Sequence, residues 1–202
     1  MDSADIAHET RRYYDQRARE YEETIGLDQQ QQRESDLTDS IIASHEAERI
    51  LDVGCGTGRV TRLPKGWVVG LDPSERMLDI ARRRVPGARF VRSVAPPVPF
   101  ATGSFDLVLA AHLFSHLEPG VRPSFVAEAK RVARSLMIVE LRWEPGLPTD
   151  ELEDRELSDG SRFRIRKTYF TPEGLLDELG GGTILFQGRW FMVASVDFAD
   201  TG

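Results

Sequence analysis

Apolar residues along this chain keep two rhythms. Short runs at Ile50–Val53, Trp67–Leu71, Arg89–Arg92, Leu107–Ala111, Ser135–Leu141, Ile184–Gln187 and Trp190–Val196 have the length and content of β-strands. Between them the spacing changes to three and four, which predicts helices over Glu9–Glu23, Leu37–His45, Pro73–Arg84, Arg122–Arg134 and Pro172–Leu179. Tyr14, Ala18 and Tyr21 mark the inner face of the first; Met77, Leu78 and Ala81 mark that of the third. Ser74 and Thr171 stand where N-caps belong, and Gly180-Gly181-Gly182 stops the last helix. Near-continuous hydrophobicity from Leu107 to Ala111 suits a parallel strand covered on both faces. Strand alternating with helix predicts an α/β fold, a mostly parallel sheet of about seven strands with helices on both faces.

Two stretches do not fit either rhythm. Gly26–Glu34, with glutamine from 29 to 32, is polar and unpatterned and reads as an exposed loop or a mobile helix end. Trp143–Asp159 is rich in proline and acid, and Arg155–Ile165 reads as a hairpin turning at Asp159-Gly160.

The candidate chemistry sits where the first strand ends. Ile50-Leu51-Asp52-Val53 runs directly into Gly54-Cys55-Gly56-Thr57-Gly58. Glycine accepts positive φ and carries no Cβ, so the chain turns sharply and a ligand can reach the backbone. Thr57–Leu63 is expected to open a helix whose free amides face the crevice, and Pro64 to stop it early. Asp72 closes the second apolar run, where a carboxylate can accept both hydroxyls of a ribose. The unit describes a nucleoside site. Glycines at 54, 56 and 58 do not make the G-x-G-x-x-G spacing of dinucleotide proteins, and Arg59 fills its last glycine position, which argues against NAD.

Leu51-Asp52-Val53-Gly54-Cys55-Gly56-Thr57-Gly58 resembles the first motif of the class I S-adenosylmethionine-dependent methyltransferases, and the later blocks follow that family in order from about Tyr13 to about Val196. The resemblance implies a Rossmann-like seven-stranded sheet whose last pair, Ile184–Gln187 and Trp190–Val196, is antiparallel, with S-adenosylmethionine as cofactor, S-adenosylhomocysteine as product, and a small-molecule acceptor. It implies cofactor contacts at Gly54, Cys55, Gly56, Gly58, Asp72 and Pro73, with Met77 against the adenine. Tyr13–Tyr21 is similar to the family's N-terminal covering helix, which makes Tyr14 and Tyr21 candidates at the methionine end; simple packing of that helix is the other reading. Relatives commonly place an acid after the third strand for the adenine amino group. Here Ser93-Val94-Ala95 occupies that place, so Val94 offers no side-chain acceptor and recognition falls to Ser93 or to backbone groups.

His112 follows the fourth strand on the sheet's carboxyl edge, where ligands of such folds bind. It is the candidate catalytic residue, as a base or as a wall of the reaction cavity; capping the strand end is the alternative. His116, four residues on, is expected to be structural, and no third ligand of the H-E-x-x-H kind makes a metal site of the pair.

Length and charge narrow the reading. The 202 residues suit a single domain, with residues 1–45 as a helical lid and about 143–167 as a cap over the acceptor site. A formal net charge of −7 argues against a nucleic-acid surface, and Arg82-Arg83-Arg84 reads as a solvated helix end. One cysteine allows no internal disulfide, no apolar run reaches the roughly 20 residues that cross a bilayer, and the N-terminus is too charged for a signal peptide. A cytoplasmic enzyme is expected. The alternative is a methyltransferase-like protein that binds the cofactor or another ligand without catalysis.

Overall fold

In the computed structural model, which describes residues 3–21, 23 and 26–198, the seven predicted runs pair into one sheet. Its strands are β1 (Arg49–Val53), β2 (Trp67–Asp72), β3 (Arg89–Arg92), β4 (Leu107–Ala111), β5 (Ser135–Leu141), β8 (Thr183–Gln187) and β9 (Phe191–Asp197), in the order β3-β2-β1-β4-β5-β9-β8. The first five run parallel; β9 pairs antiparallel with both β5 and β8. The strand order reverses between β1 and β4, and a crevice opens there at the carboxyl ends.

Register explains the two cores. Leu51, Val53, Val108, Ala110, Leu136 and Ile138 point to one face, where they pack on α4 (Arg122–Val132) and α5 (Pro172–Leu179) through Phe125, Ala129, Leu175 and Leu179. Their neighbours Ile50, Leu107, Leu109, Met137 and Val139 point to the other face, against Ile42 of α2 (Gln29–Ser44). Both faces are covered, so the parallel strands read as continuous apolar runs. α3 (Glu75–Arg84) starts from the predicted cap, Ser74 Oγ accepting from the Met77 amide at 3.1 Å.

Of the two readings of the glutamine run, the helix end holds: it is the first turn of a long helix. Asp28 forms a capping box with Gln31 and starts α2 at Gln29, which then runs unbroken through the stretch read as a separate short helix. Glu34, buried inside it, accepts from the amides of Arg189, Trp190 and Phe191 and fixes α2 to the β8–β9 turn. That long-range use is invisible to local periodicity. Within the expected lid over residues 1–45, α2 packs on the sheet through Ile42 and also brings Gln31, Gln32 and Ser35 to the crevice that α1 (Ser3–Arg17) lines.

α1 also begins and ends earlier than its predicted Glu9–Glu23 range; Tyr21 sits in a turn beyond it. Residues 22, 24 and 25 of the expected lid, and 1–2 and 199–202 of the expected domain, lie outside the described residues. Behind the glycine turn, Thr57–Leu63 forms a string of turns and no helix. With Pro64 so near, at most two turns could form, too few to offset the cost of nucleation. Side chains hold the segment instead. Thr61 Oγ1 donates to Asp52 Oδ2 at 2.6 Å, and Arg84 Nη1 donates to Thr57 Oγ1 at 2.9 Å.

β6 (Asp150–Glu156) and β7 (Arg162–Thr168) make the predicted hairpin, longer than expected and turning at Gly160 with φ 82°. It is a separate two-stranded ribbon, and α1 packs on it through a small core of Tyr13, Leu157, Phe163 and Ile165. Among the described residues no helix is long and apolar enough to cross a membrane.

Candidate functional site

The site is one cavity of about 950 Å³ above the carboxyl edge of the sheet, under α1 and the hairpin. Its first wall is the glycine turn. The Gly54 and Cys55 amides both donate to Leu71 O, at 2.7 and 3.1 Å, which folds the turn back onto β2. Gly54, Gly56 and Gly58 have φ of 73°, 52° and 76°, a left-handed region that favours glycine. Their surroundings separate them. A Cβ on Gly54 would press on Leu113 at 3.1 Å, and one on Gly58 on Ala81 at 3.1 Å, whereas one on Gly56 would meet nothing within 4 Å. Gly56 faces the cavity.

Asp72 stands beside it. Its Oδ2 accepts from the Gly56 amide and its Oδ1 from the Ser74 amide, both at 2.9 Å, leaving lone pairs for further donors. Burial raises its pKa to about 6, against the pull of those two amides. Asp52, buried deeper and bonded by Thr61, is raised to about 7, also chiefly by burial. Ser74 Oγ donates to Asp15 Oδ1 at 2.7 Å and so ties this wall to α1.

The opposite wall comes from the roof. Tyr14 Oη lies 2.7 Å from His116 Nε2, and His116 Nδ1 lies 2.7 Å from Arg166 O. A carbonyl only accepts, so Nδ1 carries the proton and Nε2 accepts from the phenol. His116 is held at about 3 by burial, then by the Lys167 charge. His112 has φ 57°, donates its amide to Val139 O at 2.8 Å, and sets its ring edge-on to Phe191. Its pKa is also about 3, by burial, Lys167 and Arg59. Both imidazoles are neutral at neutral pH. Beneath them Lys167 is 6% exposed and donates to Ser115 Oγ at 3.1 Å. Glu140 Oε1 accepts from the Ser115 amide at 2.9 Å, and Glu140 Oε2 has no partner among the described residues.

Ten of the sequence candidates meet on this cavity: Tyr14, Tyr21, Gly54, Gly56, Asp72 and Pro73, together with Met77, Val94, Ala95 and His112. Three do not line it. Cys55 is buried under the turn, close to the space left open by Gly70 on β2. Gly58 packs on α3, and Ser93 turns its hydroxyl onto Val94 O at 3.2 Å. His116, expected to be structural, also stands on the wall and accepts from Tyr14 Oη. Sequence reasoning missed Lys167, Arg155, Tyr169 and Glu140. A signal for one of them existed: Phe163, Ile165 and Lys167 alternate along β7, and a lysine in the inward register of an apolar face asks for a partner.

A family model described as a methyltransferase domain matches residues 50–135, the span from β1 to the start of β5. Over that span the chain resembles the class I S-adenosylmethionine-dependent methyltransferases. Similar curated methyltransferases include trans-aconitate 2-methyltransferase of Acidovorax sp. (strain JS42), 42% identical over 38% of this chain and 37% of that protein. Demethylmenaquinone methyltransferase of Thermotoga maritima is 34% identical over 50% of this chain and 47% of that one. The chain spans less than half the length of either relative. Among solved structures, that titled DhpI-SAM-HEP complex shares the fold over 96% of this chain and 99% of its own, with TM-score 0.79 at 21% identity.

Proposed function

We propose that this chain is an S-adenosylmethionine-dependent methyltransferase of a small-molecule acceptor. The observation that carries the reading is the Gly56–Asp72 pair: an open, left-handed glycine and a buried carboxylate with spare lone pairs, side by side on one cavity. The residues fit the cofactor the family implies. Asp72 would accept the ribose hydroxyls, Gly54 and Gly56 let a ligand approach the backbone, and Met77 lies where a base can stack. With no acid at Val94, adenine recognition falls to the backbone around Val94 and Ala95. The relatives named for trans-aconitate and demethylmenaquinone, and the neighbours titled as complexes with SAM and SAH, support the same reading.

When bound, the cofactor supplies an already activated methyl group, so the protein's task is alignment, worth up to roughly 7–11 kcal/mol of barrier. Tyr14 fastens the roof over the reaction space through His116, and Asp15 fastens it to the Ser74 wall. His112 lines the space as a neutral ring and positions rather than deprotonates. A cytoplasmic single-domain enzyme without a nucleic-acid partner suits the buried free Cys55 and the net charge of −7. Calorimetry tests the reading. Saturable binding of S-adenosylmethionine and S-adenosylhomocysteine to one site, and none of NAD, is expected; NAD binding without either sulfur nucleoside would refute it. A radiolabelled-methyl screen then separates catalysis from the non-catalytic alternative.

A further inference from the structure

A buried cation on the acceptor wall has more donors than partners. Lys167 is almost fully enclosed, lines the cavity, and makes one hydrogen bond, to Ser115 Oγ. An ammonium has three donors, and a buried one left short of acceptors carries a desolvation cost that an anion would relieve. Arg155 stands on the same wall, from the strand paired with β7, and forms a salt bridge with Glu153, which does not line the cavity. The wall's acids are engaged elsewhere: Glu118 pairs with Arg166 at 3.0 Å, and Asp72 belongs to the glycine end. Glu140 sits below, held by Ser115, and does not line the cavity. The lining of the acceptor region therefore presents an ammonium short of acceptors, a guanidinium and phenols, with Glu140 and Glu153 acting on these cations from behind the wall.

The same region lacks a base for a neutral acceptor. His116 has both ring nitrogens occupied, by Tyr14 and by Arg166 O. His112 is the remaining imidazole, and burial with the nearby Lys167 charge keeps it from taking a proton at neutral pH. An alcohol or ammonium acceptor must lose a proton; an acid already ionised in water need not.

We propose that the acceptor is a small organic oxyacid, a carboxylate or a phosphonate, whose charge is seated by Lys167 with Arg155 and whose ionised oxygen takes the methyl group. This rests on the methyltransferase reading and deepens it. One acceptor oxygen forms the bond to the methyl carbon, and the carbon–sulfur bond breaks with its electron pair left on sulfur. One negative charge on the acceptor and the positive charge of the sulfonium cancel, and no proton is released. The product is an ester.

The test uses the full chain saturated with S-adenosylhomocysteine. Calorimetry is run with two acid probes, trans-aconitate and phenylphosphonate, and two neutral ones, trimethyl trans-aconitate and benzyl alcohol. At least one acid is expected to bind ten times or more tighter than its neutral counterpart. Lys167→Met should weaken that binding at least tenfold with S-adenosylhomocysteine affinity within twofold, and Lys167→Arg should keep the preference for the acid. Should Lys167→Met fail to fold, Arg155→Gln takes its place, with an expected threefold or greater loss. With labelled S-adenosylmethionine, a carboxylate ester releases labelled methanol in mild alkali and a phosphonate ester retains it, which tells the two acids apart. Neutral probes binding as well as acids, no acid binding while S-adenosylhomocysteine binds, or acid affinity unchanged in the folded lysine or arginine variant would each overturn the proposal. Failure of S-adenosylhomocysteine itself to bind overturns the methyltransferase reading, and this one with it.

Discussion

At the Asp72 end of the cavity the groups facing a ligand are backbone amides, a bare glycine and one carboxylate, all fixed within the first βαβ-like unit. At the Lys167 end they are side chains of α1, the turn after β4, and the hairpin, joined across more than a hundred residues by the Tyr14–His116 bond. The first end is rigid because the sheet holds it from below. The second depends on a small separate core and a few polar bonds between elements. On the proposed function, the first end would take the cofactor and the second would adapt to an acceptor.

Substitutions at the glycine end should have the largest effects. Gly56→Val puts a branched side chain at φ 52° into the ligand space, and cofactor binding should become undetectable by calorimetry while circular dichroism stays unchanged. Asp72→Ala should weaken cofactor binding by about 1.5–3 kcal/mol, the range for hydrogen bonds to a charged acceptor. Wild-type affinity in both variants would place the pocket elsewhere. Glu34→Ala is the control away from both ends: it strands three amides and should reduce stability by about 1.5–3 kcal/mol in urea titration, leaving cofactor affinity intact.

The roof should respond less. Tyr14→Phe removes one hydrogen bond, about 0.5–1.5 kcal/mol, and should raise acceptor KM and amide exchange across residues 3–17 with little change in cofactor affinity. If cofactor affinity falls as far as in Asp72→Ala, the two ends are not separable.

Acid titration sharpens the contrast further, with the smallest effects. His112 and His116 are held at about 3, so below pH 6.5 the unfolded chain takes up protons that the folded chain refuses, and their share of stability is lost as pH falls. Asp52 and Asp72, raised to about 7 and 6, do the reverse: the folded chain binds protons first, and stability falls as pH rises from about 4 to 7. Relative to wild type, His116→Gln should therefore gain stability on going from pH 6.5 to 4.5, and Asp52→Asn should lose it. Urea midpoints at the two pH values check both signs. Turnover should show no imidazole limb near neutrality, and His112→Asn, which tolerates positive φ, should stay active; a limb near pH 6.5 that vanishes in this variant would make His112 a base.

The sequence by itself determined the sheet, its strand types, the caps at Ser74 and Thr171, and the Gly54–Asp72 site. Each rests on neighbours in the chain: a run, a cap three residues from its amide, a glycine at a forced turn. Local signals left the glutamine run open between loop and helix end, and Asp28 with the distant amides at 189–191 made it the first turn of a long helix. Tertiary structure alone decided that Cys55 and Gly58 face inward, that Tyr14 meets His116, and that Lys167 lies beside Ser115 over Glu140. Those pairings join residues far apart in sequence, and burial, which sets their charge states and their demand for partners, exists only once the chain is folded.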